Sequence, residues 1–183
     1  MDIKEIHWLY ENSSTNKERY FLGEHGDHMI ACIGVNPSTA SPNNLDPTLK
    51  KVKKIASFNG FDGWIMYNVY PQRATDPNAL DSSLNTDIYT CNLKSIRASI
   101  LELNIKTVWL AYGDLIAKRD YLYLSLFAIY DSLKDLDLNW CIINSPTKKG
   151  HPRHPLYQKS ASNLLPFDMS HYIDTIVGPK LPS

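Results

Sequence analysis

Four short, almost unbroken apolar runs limit what this chain can fold into. They are Met29-Ile30-Ala31-Cys32-Ile33-Gly34-Val35, Trp64-Ile65-Met66-Tyr67-Asn68-Val69, Thr107-Val108-Trp109-Leu110-Ala111-Tyr112 and Trp140-Cys141-Ile142-Ile143. A strand with one wet face alternates apolar and polar residues, whereas a strand covered on both faces has no reason to. Helical segments fall between the runs. Asp46 suits an N-cap and Pro47 a first helical position, and Leu49, Val52, Ile55 and Ala56 form a stripe that stops at Gly60. Further helices are expected over about 83–103, over about 115–133 and after Pro155. The alternation predicts a doubly wound, three-layer α/β/α fold around a mainly parallel, four-stranded central sheet, as one domain over residues 1–183. Arg19-Tyr20-Phe21-Leu22 reads as an extra antiparallel strand, hairpinned to the first core strand through Gly26-Asp27.

Composition narrows the function classes. With 43% hydrophobic and 21% charged residues the chain is no disordered tail. Nineteen Lys and Arg balance nineteen Asp and Glu, so the net basic excess typical of nucleic-acid binders is missing, although a local basic patch is compatible with it. The densest such patch is Lys50-Lys51-Val52-Lys53-Lys54, read as the solvated face of a helix. Three well-separated cysteines without a CxxC pair give a zinc site no basis and suit a reducing compartment. Met1-Asp2-Ile3-Lys4-Glu5 has no apolar signal core, and no apolar run reaches the roughly 20 residues of a membrane span. A cytoplasmic protein without membrane partners is expected.

The polar residues fall where an active site would need them. In open parallel sheets, ligands bind beyond the carboxyl ends of the strands. The first run leads into Asn36-Pro37-Ser38-Thr39-Ala40, and the second ends at Asn68 and leads into Tyr70-Pro71-Gln72-Arg73-Ala74-Thr75-Asp76-Pro77. The third leads into Gly113-Asp114, and the fourth into Asn144 through Gly150-His151-Pro152-Arg153-His154-Pro155-Leu156-Tyr157. Each residue alone has a bland explanation: a turn for Asn36-Pro37, loop satisfaction for Asn68, an ion pair with Asp76 for Arg73, capping for Asp46. The set reads as a site, with His151 and His154 in a Pro-bracketed loop as the histidine candidates. GxGxxG, GxxxxGK[ST] and GxSxG motifs are all missing. Ser38 with His154 remains a weaker, serine-hydrolase alternative. No metal and no cofactor is expected.

These pieces resemble a bacterial family catalogued as domain of unknown function 1643, in the family's order from about Ala31 to Tyr157. Tyr112 stands before Gly113 where that family suggests Trp. More distantly, the motif order is similar to the uracil-DNA glycosylase superfamily. Gly34-Val35-Asn36-Pro37-Ser38 resembles a Gly-Ile-Asn-Pro-Gly motif, and His154-Pro155-Leu156 resembles a His-Pro-Ser-Pro loop, with Ser38, Arg153 and His154 departing from the pattern. The resemblance implies a glycosylase-like fold in which Asn36 positions water and His154 stabilises charge on a base carbonyl, the two catalytic residues. Asn68 would read the base edge. Pro37, Ser38, Tyr70, Arg73, Arg153 and Tyr157 would bind substrate, with Tyr70 or Tyr157 stacking. The expected function is binding of a nucleobase-containing small molecule or nucleic acid, with hydrolysis of an N-glycosidic bond. The alternative is a non-catalytic nucleotide or nucleic-acid binding module.

Overall fold

In the computed structural model, which describes residues 5–183, the four apolar runs are four neighbouring parallel strands. They are β3 (Met29–Gly34), β4 (Gly63–Asn68), β5 (Thr107–Leu110) and β6 (Asn139–Ile143), preceded by β1 (Trp8–Asn12) and β2 (Arg19–Glu24) and followed by β7 (Leu164–Pro166). The sheet has seven strands in the order β1-β2-β4-β3-β5-β6-β7. The expected four-stranded sheet is thus enlarged by three antiparallel strands at its edges. Every residue of β3 and β4 is buried, which explains the continuous apolar patterning.

Helices cover both faces. The first, α1 (Pro47–Phe58), begins where Asp46 Oδ1 accepts the Leu49 N–H at 2.9 Å, and ends at Asn59 before Gly60, whose φ is +85°. Its buried Leu49, Val52 and Ile55 pack with Ile30, Cys32, Trp64, Met66 and Trp109 on one face. On the other face lie α2 (Thr86–Glu102) and α3 (Asp120–Leu133), whose Ile96, Ile100, Leu122, Leu126 and Ile129 pack with Ala31, Ile33, Ile65, Tyr67, Val108 and Leu110. Cys32 and Cys141 are buried on the α1 side, and burial raises both thiols above their ordinary value. Among the described residues no helix is long and apolar enough to cross a membrane. Residues 1–4, which belong to the segment read for a signal core, lie outside the described residues.

One expectation about connections needs correction. The Arg19–Glu24 strand does not hairpin onto β3, because both edges of β3 are taken, by β4 and by β5. It pairs instead with the free edge of β4, Leu22 opposite Met66, and with β1. The helix expected after Pro155 is present but does not start there: Pro155–Tyr157 is a three-residue 3₁₀ turn, because the following Gln158-Lys159-Ser160-Ala161-Ser162-Asn163 carries no apolar stripe. It comes after β7 as α4 (Met169–Tyr172), which continues into a π-helical turn over Ile173–Val177.

The order β4-β3-β5-β6 fixes the place of a site. From β3 the chain winds through α1 to β4 on one side, then crosses through α2 to β5 on the other. The connections diverge at the carboxyl ends of β3 and β5, which opens a crevice there.

Candidate functional site

A cavity of about 250 Å³ occupies that crevice. Its wall includes Asn36, Pro37 and Ser38 after β3, Asn68 at the end of β4, Leu115 after β5 and His154 after β6. All four rims converge on one hollow. The N-terminus of α1 closes it with Asp46, Pro47 and Thr48, and Arg19 of β2 reaches it from the far side of β4.

Asn68 is 1% exposed, and its Nδ2 has no hydrogen-bond partner among the described residues. A buried donor left without an acceptor costs about 1–3 kcal/mol. Its backbone carbonyl, by contrast, accepts from Asn92 Nδ2 at 2.9 Å. Gly34 pairs with Asn68 across the parallel ladder. A β-carbon on Gly34 would come to 3.0 Å of Asn68 Oδ1 and 2.5 Å of Met66 Cε, so the Asn68 side chain occupies space that only a glycine leaves open.

Asn36 is held by its own amide. Nδ2 donates to the carbonyls of Pro37 at 3.0 Å and Ala74 at 2.8 Å, which uses both hydrogens and leaves Oδ1 as the group with bonding capacity. The Ala74 N–H returns a bond to the Pro37 carbonyl at 2.9 Å, so the two loops are laced together. Ser38 Oγ donates to Thr75 Oγ1 at 3.3 Å. His154 Nδ1 accepts the Leu156 N–H at 3.3 Å. That bond assigns the ring proton to Nε2, which makes His154 a donor toward a ligand. The serine–histidine relay of a hydrolase is therefore not assembled. Burial holds the His154 ring below its ordinary value, the charge of Asp46 acting weakly the other way, so neutral imidazole is favoured.

Arg19 is the residue that sequence reasoning missed. It is 2% exposed, its Nη1 donates to the Ala40 carbonyl at 3.3 Å, and its Nε has no partner among the described residues. Burial, and then the neighbouring charge of Arg73, push its value down to about 10, with Asp46 opposing. Its signal was hidden by a bulge: the register against β1 shifts between Glu11 and Asn12, so Arg19 and Leu22 are both buried despite their spacing.

Other expected site residues lie elsewhere. Arg73 does not line the cavity and does not pair with Asp76, which instead caps a short turn through Asn78. Its guanidinium is a clamp behind the wall, donating to the carbonyls of Ser38 at 2.5 Å and Ala40 at 3.1 Å, to Tyr10 Oη at 2.9 Å and to Asn16 Oδ1 at 3.2 Å. Tyr70 cannot stack on a ligand in the cavity. It is fully buried in the α2–α3 core, and its Oη accepts the Asn85 N–H at 3.0 Å. Arg153 and Tyr157 flank an adjoining groove. His151 is a core residue, with Nδ1 2.9 Å from Tyr172 Oη and Nε2 3.3 Å from Tyr123 Oη, so His154 is the histidine at the cavity. In the basic run, Lys53 pairs with Glu24 at 2.8 Å and none of its lysines lines the cavity. Among the described residues no cluster of three or more His, Cys, Asp or Glu is placed to hold a metal ion.

Residues 19–156 match the family model described as protein of unknown function (DUF1643). The chain belongs to the DUF1643 family. The matched span runs from Arg19 to Leu156, which are also the first and last residues of the cavity wall, so this DUF1643 protein keeps its whole candidate site inside the family region. No curated protein and no solved structure matches the chain significantly.

Proposed function

We propose that the cavity binds a nucleobase and that the protein hydrolyses the N-glycosidic bond attached to it. The observation that carries this reading is the unpartnered Nδ2 of buried Asn68 in a small hollow of mixed polar and apolar lining. An amide beside a planar heterocycle satisfies itself by pairing with an amide-like base edge, a recognition that discriminates by about 1–3 kcal/mol. The similarity of the Gly34–Ser38 and His154–Leu156 segments to uracil-DNA glycosylases points the same way.

The chemistry follows from where charge develops. As the bond breaks, the sugar gains positive charge and the departing base gains negative charge. Neutral His154 donates from Nε2 to the base oxygen, where a placed donor acts most strongly. Asn36 Oδ1 accepts a hydrogen bond from water and holds it toward the sugar; as the C–O bond forms, the proton that water loses passes through solvent to the departed base anion, so the hydroxylated sugar and the free base both leave neutral. The Asp46 carboxylate lends negative charge beside the cationic sugar, and Arg19, the guanidinium in the cavity wall, adds positive charge toward the leaving group.

A second reading, a binding module without chemistry, is favoured by one feature: Asn36 is uncharged and its amide is committed to the Pro37 and Ala74 carbonyls. Base release from a panel of nucleosides, nucleotides and uracil-containing oligonucleotides separates the two. Turnover abolished by Asn36→Ala and His154→Ala establishes hydrolysis. Saturable binding lost in Asn68→Leu, with no release from any substrate, establishes the module. No binding and no release would sink both.

A further inference from the structure

The cavity does not end at His154. On the other side of that residue lies a more open groove of about 490 Å³, and the two share His154 and Leu115 as a common wall. The groove is flanked by Lys118, Lys149 and Arg153, with Tyr157 at its edge. One acidic side chain lines it, Asp114, whose Oδ1 accepts from Thr147 Oγ1 at 2.6 Å. Three cations thus face one carboxylate that is already hydrogen-bonded.

The excess is local and continues along the chain. Residues 144–163, which join β6 to β7, carry Lys148, Lys149, Arg153 and Lys159 and no acidic residue, in a chain whose formal net charge is zero. Arg153 is braced by bonds from Nε to the Ser145 carbonyl at 2.7 Å and from Nη2 to the Pro146 carbonyl at 3.3 Å, so its guanidinium is held in place. Tyr157, the last residue of the turn that Pro155 starts, is 84% exposed, and its ring lies 6.2 Å from that of His154. A large aromatic standing in water beside a base-sized hollow, next to a row of cations, has the two parts of a single-strand site: a stacking platform and a path for phosphates.

We infer that the groove takes the neighbouring nucleotides of a single-stranded nucleic acid whose target base enters the cavity. The inference rests on the nucleobase reading of the cavity and narrows it: the ligand is a polynucleotide, not a free nucleotide. One phosphate passes Lys149 and Arg153, a flanking phosphate approaches Lys118, and the base next to the target stacks on Tyr157. A single strand presents its bases without the cost of extrusion from a duplex.

The test is fluorescence anisotropy with labelled single-stranded DNA, single-stranded RNA, duplex DNA and a competing mononucleotide, over a salt series. At least tenfold tighter binding of one single strand than of the mononucleotide or duplex is expected. Affinity should fall with salt at a slope of about 0.7 per neutralised phosphate. Lys118→Glu with Lys149→Glu should cost at least tenfold and flatten that slope. Tyr157→Ala should weaken binding several-fold without changing it. Lys94→Glu with Lys106→Glu, the same charge change at two exposed residues outside the groove, should do neither. A mononucleotide that binds as tightly as the oligonucleotides, a preference for duplex, or groove variants with unaltered affinity and slope would overturn the inference. The cavity reading fails separately: oligonucleotide binding that ignores Asn68→Leu keeps the groove and removes the base pocket. Mononucleotide binding that needs Asn68, with no gain from a longer strand, does the reverse.

Discussion

Gly113 and His154 stand so close that a β-carbon on Gly113 would lie 3.1 Å from the β-carbon of His154. Gly113 also holds a φ of +61°, a left-handed conformation that other residues adopt only at a cost. Gly113→Ala is therefore expected to lower stability by about 1–3 kcal/mol. It should also displace His154, so ligand binding and any turnover fall more than stability alone explains. Urea unfolding alongside ligand titration checks both, and an alanine variant matching the parent in each would refute the packing argument.

Asn68 sets stability against function. Leucine has nearly the shape of asparagine and buries no orphan donor. Asn68→Leu should leave stability unchanged or raise it by about 1 kcal/mol, while ligand binding is lost. A markedly destabilised variant would mean that the amide has an internal structural partner after all.

Arg73 acts from behind the wall. Arg73→Lys keeps the charge but loses the fork that spans Ser38, Ala40, Tyr10 and Asn16. A loss of about 1–3 kcal/mol in unfolding free energy is expected, and ligand affinity should fall although the residue touches no ligand. Native stability in the lysine variant would show that charge alone suffices.

Buried His151 and half-buried His154 make the fold sensitive to acid. His151 and His154 are held below their ordinary 6.5, in each case chiefly by burial. Between the native values and 6.5 the unfolded chain binds more protons than the native one, so stability rises with pH across that window and is lost as pH falls through it. Urea midpoints at a series of pH values should drop on acidification below about 6.5, less steeply in His154→Gln. A flat profile would contradict the burial argument.

Ser38 lines the cavity with its hydroxyl bonded to Thr75. Ser38→Ala should keep ligand binding and any base release within a few-fold of the parent, since its Oγ bonds to Thr75 and not to His154. Loss of activity on the scale of Asn36→Ala would revive the serine nucleophile.

Strands were legible where burial left a one-dimensional trace. The runs at β3, β4, β5 and β6 are apolar because helices cover both faces, and Asp46-Pro47 announced α1 because capping is local chemistry. The edge strands were not legible in the same way. Which edge β2 joins depends on which edges are already occupied, a property of the assembled sheet. For the cavity, Asn36, Asn68 and His154 could be placed at one rim because each follows a recognisable strand. Arg19 could not, because a bulge breaks the alternation that would have shown which way it faces. Tyr70 and Arg73 were misplaced for a related reason: one residue's direction after a strand end is set by turns that no period describes. Arg73 faces the back of the loop that its neighbour Ala74 helps to form.

One guanidinium joins two places that lie far apart along the chain. Tyr10 belongs to β1, at the outer edge of the sheet, and Ser38 belongs to the cavity wall, yet Arg73 grips both. Peeling β1 away would slacken the loop that carries Asn36, and a guest that stiffens this loop must, by thermodynamic reciprocity, hold the outermost strand more firmly in place.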